Sequence, residues 1–245
     1  MINQKHFYEK YWENRQKMGH IYDLKHLPPR FSIIISLIGS GKSILDVGCG
    51  EGLLAKLLME KGNKVICVDI SEHAVELAKR NGVIAYVCNI EDQTLPFEGL
   101  FDVIVLSEVL EHFISPREVI KKLIPYLKPK EGYFLITFPN IAHFTYRMQL
   151  FRGHFPKQYL LNPDEHLHYW SIPDFIRFLT DCHLKCVRLK PVFLFPFHAL
   201  ISKILPLRIF LEKFPNLFGY QIVVVASPQE NHYFNGREKN DRKVS

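Results

Sequence analysis

Short apolar runs alternate with amphipathic segments between residues 43 and 138. Five predicted strands rich in β-branched residues lie at 43–47, 64–69, 83–87, 101–106 and 133–138. The segment after the first strand, 52–61, places its leucines on one helix face, at Leu53, Leu54, Leu57 and Leu58. Such alternation predicts βαβ units and a parallel sheet, so the core belongs to the α/β class.

Capping residues mark where the helices begin and end. Ser71 precedes a predicted helix that runs to Asn81, and Gly82 ends it. Ser115 followed by Pro116 opens another helix, and Ser171 and Asp174 have the spacing of a capping box before a third at 175–180.

Further elements flank this region. An aromatic-rich helix is predicted at 7–15 and an apolar one from Pro28–Pro29 to Ile38, so residues 1–40 form an N-terminal helical segment of the same domain. Residues 41–228 form the main domain, which ends with strands at 184–192 and 219–226. Residues 193–217, apolar and broken by prolines, predict a helical insertion that acts as a lid, a dimer contact or a membrane-surface patch. The polar residues 229–245 predict a disordered tail.

The composition fits one folded domain. Of 245 residues, 47% are hydrophobic and 23% charged. The longest uncharged apolar run, residues 191–202, is too short for the roughly 18 residues of a membrane span. The charged N-terminus has no signal-peptide pattern, and the five cysteines form no dense framework. We therefore expect a cytoplasmic protein with reduced thiols and no membrane span.

The net charge of +6 is divided unevenly along the chain. Residues 1–120 carry 13 Lys and Arg against 16 Asp and Glu, whereas residues 121–245 carry 18 against 9. The acidic half favours a cationic ligand, and the basic half favours an anionic substrate, nucleic acid or headgroup. Ordinary solvated surface also explains part of such an excess.

A glycine-rich turn, Asp46-Val-Gly-Cys-Gly-Glu-Gly52, joins the first strand to its helix. This is the place where an α/β sheet binds ligands, beyond the carboxyl ends of its strands. A dinucleotide fingerprint needs a third glycine at position 53, which is Leu53.

Carboxylates follow the strand ends near this turn, so we expect an acidic cleft throughout. Like charge from Asp46 and Glu51 opposes a pyrophosphate there and attracts a ligand with sulfonium and ammonium groups. Asp69 ends the second strand, where a carboxylate can accept both hydroxyls of a ribose. An NAD enzyme is therefore disfavoured.

Four segments together resemble the class I S-adenosylmethionine (SAM)-dependent methyltransferases over residues 40–190. They are ILDVGCGEG, VICVDIS, CNIEDQTLPF and FDVIVLSEVLEHF. The resemblance implies a Rossmann-like, seven-stranded, mostly parallel sheet with helices on both faces and an antiparallel last strand. Within the family, the second half looks like the methionine-biosynthesis MetW-type subgroup, and SEVLEHF is closer to ubiquinone-biosynthesis O-methyltransferases.

The resemblance also implies SAM as the cofactor and assigns residues to its parts. Asp46, Gly48 and Gly50 line the methionine moiety and Asp69 the ribose. Ile70, Asn89 and Ile90 line the adenine. The remaining cofactor-binding residues expected are Cys49, Glu91, Ser107 and Glu108.

Methyl transfer to a hydroxyl needs alignment and a base, so histidines are the candidate catalytic residues: His112, His143, His166 and His168. We expect the acceptor site in the loop after the fifth strand and the segment before Ser171, with Asn140 and Tyr169. His166 and His168, two residues apart in a polar loop, are favoured. No well-spaced third ligand accompanies that pair, so no metal is expected.

The sequence predicts methyl transfer to an oxygen or nitrogen of a small-molecule or glycan-like acceptor, with an anionic acceptor favoured by the basic half. Two alternatives stay open. One is an RNA or other nucleic-acid methyltransferase, although no RNA-binding module is recognisable. The other is a non-catalytic SAM-binding partner of the MetW type. Both a monomer and a homodimer fit the sequence.

Overall fold

The structure, a computed structural model, describes residues 4–19, 27–157, 166–193 and 205–229. Seven strands form one sheet: β1 Ser43–Val47, β2 Lys64–Asp69, β3 Ile84–Val87, β4 Val103–Ser107, β5 Tyr133–Pro139, β6 Leu184–Val192 and β7 Gln221–Pro228. Their order is β3-β2-β1-β4-β5-β7-β6. Strands β1 to β5 are parallel, and β7 is antiparallel to both of its neighbours. The expected seven-stranded, mostly parallel α/β sheet with an antiparallel last strand is confirmed.

Helices cover both faces of the sheet, as expected. They are α1 Gln4–Lys17, α2 Pro29–Ile38, α3 Leu53–Glu60, α4 Glu72–Arg80, α5 Pro116–Leu123, α6 Phe144–Phe151, α7 Ile172–Asp181, α8 Leu205–Lys213 and α9 Pro215–Phe218. Side chains of a strand alternate between the faces. Accordingly, Ile104 and Leu106 pack in a buried cluster with α5 and α7. Val103 and Val105 pack in the opposite cluster with α2, α3 and α4.

The Ser71 and Ser171 caps are present, Ser115 precedes α5 without a side-chain capping bond, and two strands begin two residues later than predicted. The Oγ atoms of Ser71 and Ser171 accept backbone N–H bonds from Ala74 and Asp174. Strand β4 begins two residues later than predicted because Phe101 forms an isolated bridge with Leu127. Strand β7 also begins two residues later, because the Gly219 N–H donates to the Pro215 carbonyl and ends α9.

The insertion at 193–217 is helical where it is described, in α8 and α9. It exposes Ile209, Phe210 and Phe214, each by about half. Residues 194–204 and all of the predicted tail except Gln229 lie outside the described residues. Within the described ranges, no helix has the length and apolar composition that a bilayer crossing needs. All five cysteines carry free thiols, as expected.

Helix α1 packs on the beginning of α4. The Glu9 carboxylate accepts hydrogen bonds from the Ser71 hydroxyl and from the backbone N–H groups of Glu72 and His73. These N–H groups lie in the first turn of α4, which lacks partners within the helix and favours negative charge. A glutamate distant in sequence therefore completes the cap of α4 and fixes α1 beside the glycine-rich turn.

Asp102 joins three segments at the amino-terminal ends of the parallel strands, opposite the end that carries the glycine-rich turn. Its carboxylate accepts hydrogen bonds from the Ser43 N–H and hydroxyl, each at 2.8 Å, and from the Lys128 ammonium at 2.9 Å. Burial raises the pKa of Asp102, but the hydrogen bonds from Lys128 and Ser43 outweigh burial and hold the pKa at about 2. The ionised form is therefore the form that stabilises the fold.

Replacing this carboxylate, Asp102→Asn, should lower the free energy of unfolding at pH 7 by about 2 kcal/mol, the usual contribution of hydrogen bonds to a charged group. Because the pKa is lower in the folded than in the unfolded chain, the stabilisation is present above about pH 4 and is lost towards pH 2. Urea unfolding should therefore show the two proteins converging as the pH falls below 4. Asp181→Asn, which removes a half-exposed ion pair with Arg117, is the control and should cost under about 1 kcal/mol at pH 7. If the difference in unfolding free energy between wild type and Asp102→Asn were the same at pH 3 as at pH 7, the stabilising role of the ionised Asp102 carboxylate would be contradicted.

Candidate active site

The glycine-rich turn after β1 needs glycine at two positions. Gly48 and Gly50 have φ angles of 71° and 56°, a region that other residues rarely adopt. A Cβ atom on Gly48 would lie 2.4 Å from the Val109 side chain, and one on Gly50 would lie 2.4 Å from the Trp12 ring. The turn is therefore packed between the loop after β4 and helix α1.

Asp69, at the end of β2, holds the turn in place. Its Oδ2 accepts a hydrogen bond from the Gly50 N–H at 2.8 Å, and its Oδ1 accepts one from the Ser71 N–H at 3.0 Å. Burial raises the pKa of Asp69, and these backbone donors partly oppose the shift. Asp46 is also buried, and burial together with the charge of Asp69 raises its pKa to about 7.

One cavity of about 470 Å³ opens beside this turn. It is lined by every expected cofactor residue except Glu91: Asp46, Gly48, Cys49, Gly50, Asp69, Ile70, Asn89, Ile90, Ser107 and Glu108. Glu91 instead accepts a hydrogen bond from the Ser115 N–H at 2.9 Å, so it supports the start of α5.

Part of the cavity wall comes from the N-terminal helices, which sequence reasoning did not assign to the site. Helix α1 contributes one face, with residues spaced at i, i+4, i+7, i+8 and i+11: Gln4, Tyr8, Tyr11, Trp12 and Arg15. Arg30 and Phe31 of α2 also line it. The expectation of a cleft that is acidic throughout is therefore wrong, because Arg15 and Arg30 face the same cavity as the carboxylates. The helical spacing of the aromatic residues was the available signal.

Glu108 is held in an uncommon backbone conformation at the end of β4. Its φ angle is 55°, in the left-handed region. Its carboxylate accepts hydrogen bonds from the Thr137 hydroxyl at 2.9 Å and from the Gln221 side-chain amide at 2.7 Å. Strands β5 and β7 thus fix the orientation of this cavity-lining carboxylate.

Two of the four candidate histidines, His112 and His166, line the cavity together with Glu111. The imidazole rings meet edge to face, with centroids 4.7 Å apart. Burial, and secondarily the proximity of His112, lower the pKa of His166 to about 4. The His166 imidazole is therefore neutral at neutral pH and can accept a hydrogen bond or bind as a ligand.

Among the described residues, His143 and His168 lie outside the cavity lining. The His168 ring stacks on Trp170, and its Nε2–H donates to the Phe113 carbonyl at 2.9 Å. His143 caps α6 by accepting from the Thr145 N–H, and burial lowers its pKa to about 4. The side chains of His143 and His168 therefore stabilise loops. Of the residues expected at the acceptor site after β5 and before Ser171, only His166 lines the cavity.

Asn140 and Tyr169, also expected at the acceptor site, likewise lie outside the cavity lining within the described chain. Asn140 is fully buried, and its side-chain amide donates to the Gly219 and Asn216 carbonyls. Its backbone forms a bridge with Trp170. Asn140 therefore joins the loop after β5 to α9 and to the segment before α7.

Comparisons with known proteins agree with this architecture. A family model described as a methyltransferase domain matches residues 11–189. The chain is 29% identical over 137 residues to a ubiquinone biosynthesis O-methyltransferase of Acinetobacter baylyi, which is 52% of this chain and 57% of that protein. It is 38% identical over 107 residues to the mitochondrial ubiquinone biosynthesis O-methyltransferase of Schizosaccharomyces pombe, which is 40% of this chain and 38% of that protein. The matched parts thus span 57% or less of these curated relatives.

A solved structure shows the same fold. Magnesium protoporphyrin IX methyltransferase from Synechocystis, with bound SAH, superposes with a TM-score of 0.62 at 15% identity. The match covers 92% of this chain and 98% of that one. Sheet order, the position of the glycine-rich turn and the family match over residues 11–189 lead to one conclusion: the chain belongs to the class I SAM-dependent methyltransferases.

Proposed function

We propose that the chain transfers a methyl group from SAM to a hydroxyl oxygen of a small aromatic acceptor. The observation that carries this proposal is one cavity lined both by the glycine turn with Asp69 and by the group Glu111, His112 and His166. A methyl donor and an acceptor can therefore meet in one enclosure, which is what an in-line displacement requires. The curated relatives that are named O-methyltransferases support oxygen as the acceptor atom.

The residues around the turn fit the cofactor. Glycine at positions 48 and 50 lets the turn pack closely against Val109 and Trp12 while its residues line the cavity. The Asp69 carboxylate accepts backbone N–H bonds at both oxygens and keeps acceptor capacity for a ribose hydroxyl. SAM supplies the electrophilic methyl group on its sulfonium.

The charges in the cavity fit the amino-acid end of the cofactor, which carries both an ammonium and a carboxylate. The acidic side chains of the glycine turn, Asp46 and Glu51, favour ammonium and sulfonium groups, and a bound cation would in turn favour the ionised form of Asp46, whose pKa burial raises to about 7. Arg15 and Arg30 offer guanidinium groups suited to a carboxylate. A cavity with side chains of both charges therefore suits a zwitterionic ligand better than the purely acidic cleft predicted from the sequence would.

Aromatic side chains and imidazoles in the same cavity favour a flat acceptor with a hydroxyl group. Tyr8, Tyr11 and Phe113 line the cavity, and aromatic rings prefer stacked or edge-to-face contacts. His112 and His166 lie close enough together to hold a hydroxyl group between them. We therefore assign these two histidines to the acceptor.

The ribose assignment is tested with Asp69→Ala. The loss of hydrogen bonds to a charged group should weaken S-adenosylhomocysteine binding by about 1.5–3 kcal/mol, roughly 10- to 150-fold, in isothermal titration calorimetry. Asp181→Ala, on the exposed end of α7, is the matched control and should bind as the wild type does. If Asp69→Ala and the control bound S-adenosylhomocysteine with equal affinity, the assignment of Asp69 to the ribose would be wrong.

The acceptor assignment is tested with His166→Ala. Turnover should fall by about 10²- to 10⁴-fold, the usual effect of losing a group that assists proton transfer, while S-adenosylhomocysteine affinity changes little. His154→Ala removes an exposed imidazole outside the cavity and should retain full turnover. Wild-type turnover in His166→Ala would mean that alignment alone drives the transfer.

The acceptor class is tested by incubating the protein with isotope-labelled SAM and either phenolic compounds or RNA. We expect labelled methyl ether on a phenol and none on the same compound whose hydroxyl is already methylated. Label in RNA alone would support the nucleic-acid alternative. Cofactor binding without transfer to a phenol, RNA or any compound of a cell extract would support the non-catalytic alternative.

A further inference from the structure

A single turn after β3, residues 89–93, forms part of the cavity wall. Its first two residues, Asn89 and Ile90, line the cavity. The N–H groups of Asp92 and Gln93 both donate to the Asn89 carbonyl, at 3.1 and 2.8 Å, so the backbone coils once as in a helix. The carbonyl groups at the end of such a turn have no partner within it. They need hydrogen-bond donors from elsewhere in the protein or from water.

Lys122 supplies these donors from α5. Its ammonium group donates to the carbonyl oxygens of Ile90 and Glu91, each at 2.8 Å. It also donates to the Gln93 carbonyl at 3.3 Å. An ammonium group has three N–H donors, and its positive charge favours the carbonyl end of a helical turn. The three donors of one side chain are therefore committed to the backbone of one turn.

The next residue on the same helix shows what is specific to Lys122. Lys121 is exposed and forms an ordinary ion pair with Glu118, three residues away, at 2.8 Å. Lys122 is partly buried and reaches a segment about 30 positions earlier in the sequence. Fixing a long lysine side chain costs conformational entropy, which hydrogen bonds from a charged group offset. The contact therefore belongs to the packing between α5 and the turn.

Two further hydrogen bonds join the turn to its surroundings. The Glu91 carboxylate, as described above, accepts from the Ser115 N–H at the beginning of α5. The Cys88 N–H, just before the turn, donates to the Asp69 carbonyl at 2.8 Å. The turn is thus held by α5 on one side and by the end of β2 on the other.

We propose that Lys122 is a positioning residue for the adenine of the cofactor and acts through the turn at 89–93. This inference rests on the cofactor placement proposed above, in which Asn89 and Ile90 contact the base. Within the described ranges, Lys122 does not line the cavity, so it acts on the ligand only through the backbone that it holds. Without the ammonium group, three carbonyls lose their common donor and the turn opens more often. The apparent affinity for the base then falls in proportion to the fraction of molecules with an ordered turn.

The experiment compares S-adenosylhomocysteine with S-inosylhomocysteine, in which an oxo group replaces the 6-amino group of the base. In isothermal titration calorimetry, the wild type should bind S-adenosylhomocysteine more tightly, because a site shaped for one pattern of hydrogen-bonding groups rejects another. Lys122→Met removes the ammonium and should weaken S-adenosylhomocysteine binding about 10-fold, as for a turn ordered in about one molecule in ten. S-inosylhomocysteine binding should change little, so the preference shrinks. Lys121→Met is the matched control and should keep both affinities.

Lys122→Arg keeps the charge, but a planar guanidinium does not direct three donors to three converging carbonyls. It should also lose part of the preference, and it decides the assignment if Lys122→Met fails to fold by circular dichroism.

An unchanged preference in the folded variants overturns the positioning role. An equal loss of both ligands also overturns it, because a purely structural contribution would weaken both. A wild type without any preference overturns the placement of the base against the turn. A wild type that binds neither compound overturns this inference together with the proposed cofactor site. A preference that shrinks as expected, in a protein that methylates no hydroxyl, contradicts the proposed function and supports the role of Lys122.

Discussion

The carboxylate of Asp69 is the interaction on which the rest of the cavity depends. It joins the end of β2 to the glycine turn through Gly50 and to the start of α4 through Ser71. Ser71 in turn bonds Glu9 of α1, and the Trp12 ring of α1 lies against Gly50. One buried carboxylate thus connects the end of β2, the glycine turn and, through Ser71 and Glu9, helix α1.

The other end of the cavity depends on a second junction, between the loop after β4 and the segment before α7. Parallel strands deliver their following loops to one edge of the sheet, which explains why Glu111 and His112 lie near the glycine turn. His166 reaches them because backbone N–H groups after it bind the Glu111 carbonyl. Two chemically different groups of residues, one around the glycine turn and one rich in imidazole, therefore line one cavity.

Sequence reasoning was sufficient where the signal is local. Periodic apolar residues and the Ser71 and Ser171 caps predicted the parallel strands and their helices. The glycine turn, the acidic strand ends and the resemblance to the methyltransferase family singled out ten residues that line the cavity. Sequence reasoning failed where contacts are distant in sequence. The histidine pair at 166 and 168 has no third ligand nearby in the sequence, and the structure separates the two imidazoles because the His168 ring stacks on Trp170. His166 instead lies beside Glu111 and His112. The hydrogen bonds of Glu9 to the start of α4 place α1 in the cavity wall.

The position of β7 in the sheet affects the order in which the strands can pair while the chain is being synthesised. In the sheet, β7 lies between β5 and β6, and among the described residues it is the only strand that pairs with β6. Synthesis proceeds from the N-terminus, and domains tend to fold as units. Strand β6 therefore emerges before it has a partner, and one edge of β5 stays open until residues 221–228 are complete. Five of the seven strands, β1 to β5, can pair early, whereas β6 joins the sheet only when β7 inserts between it and β5.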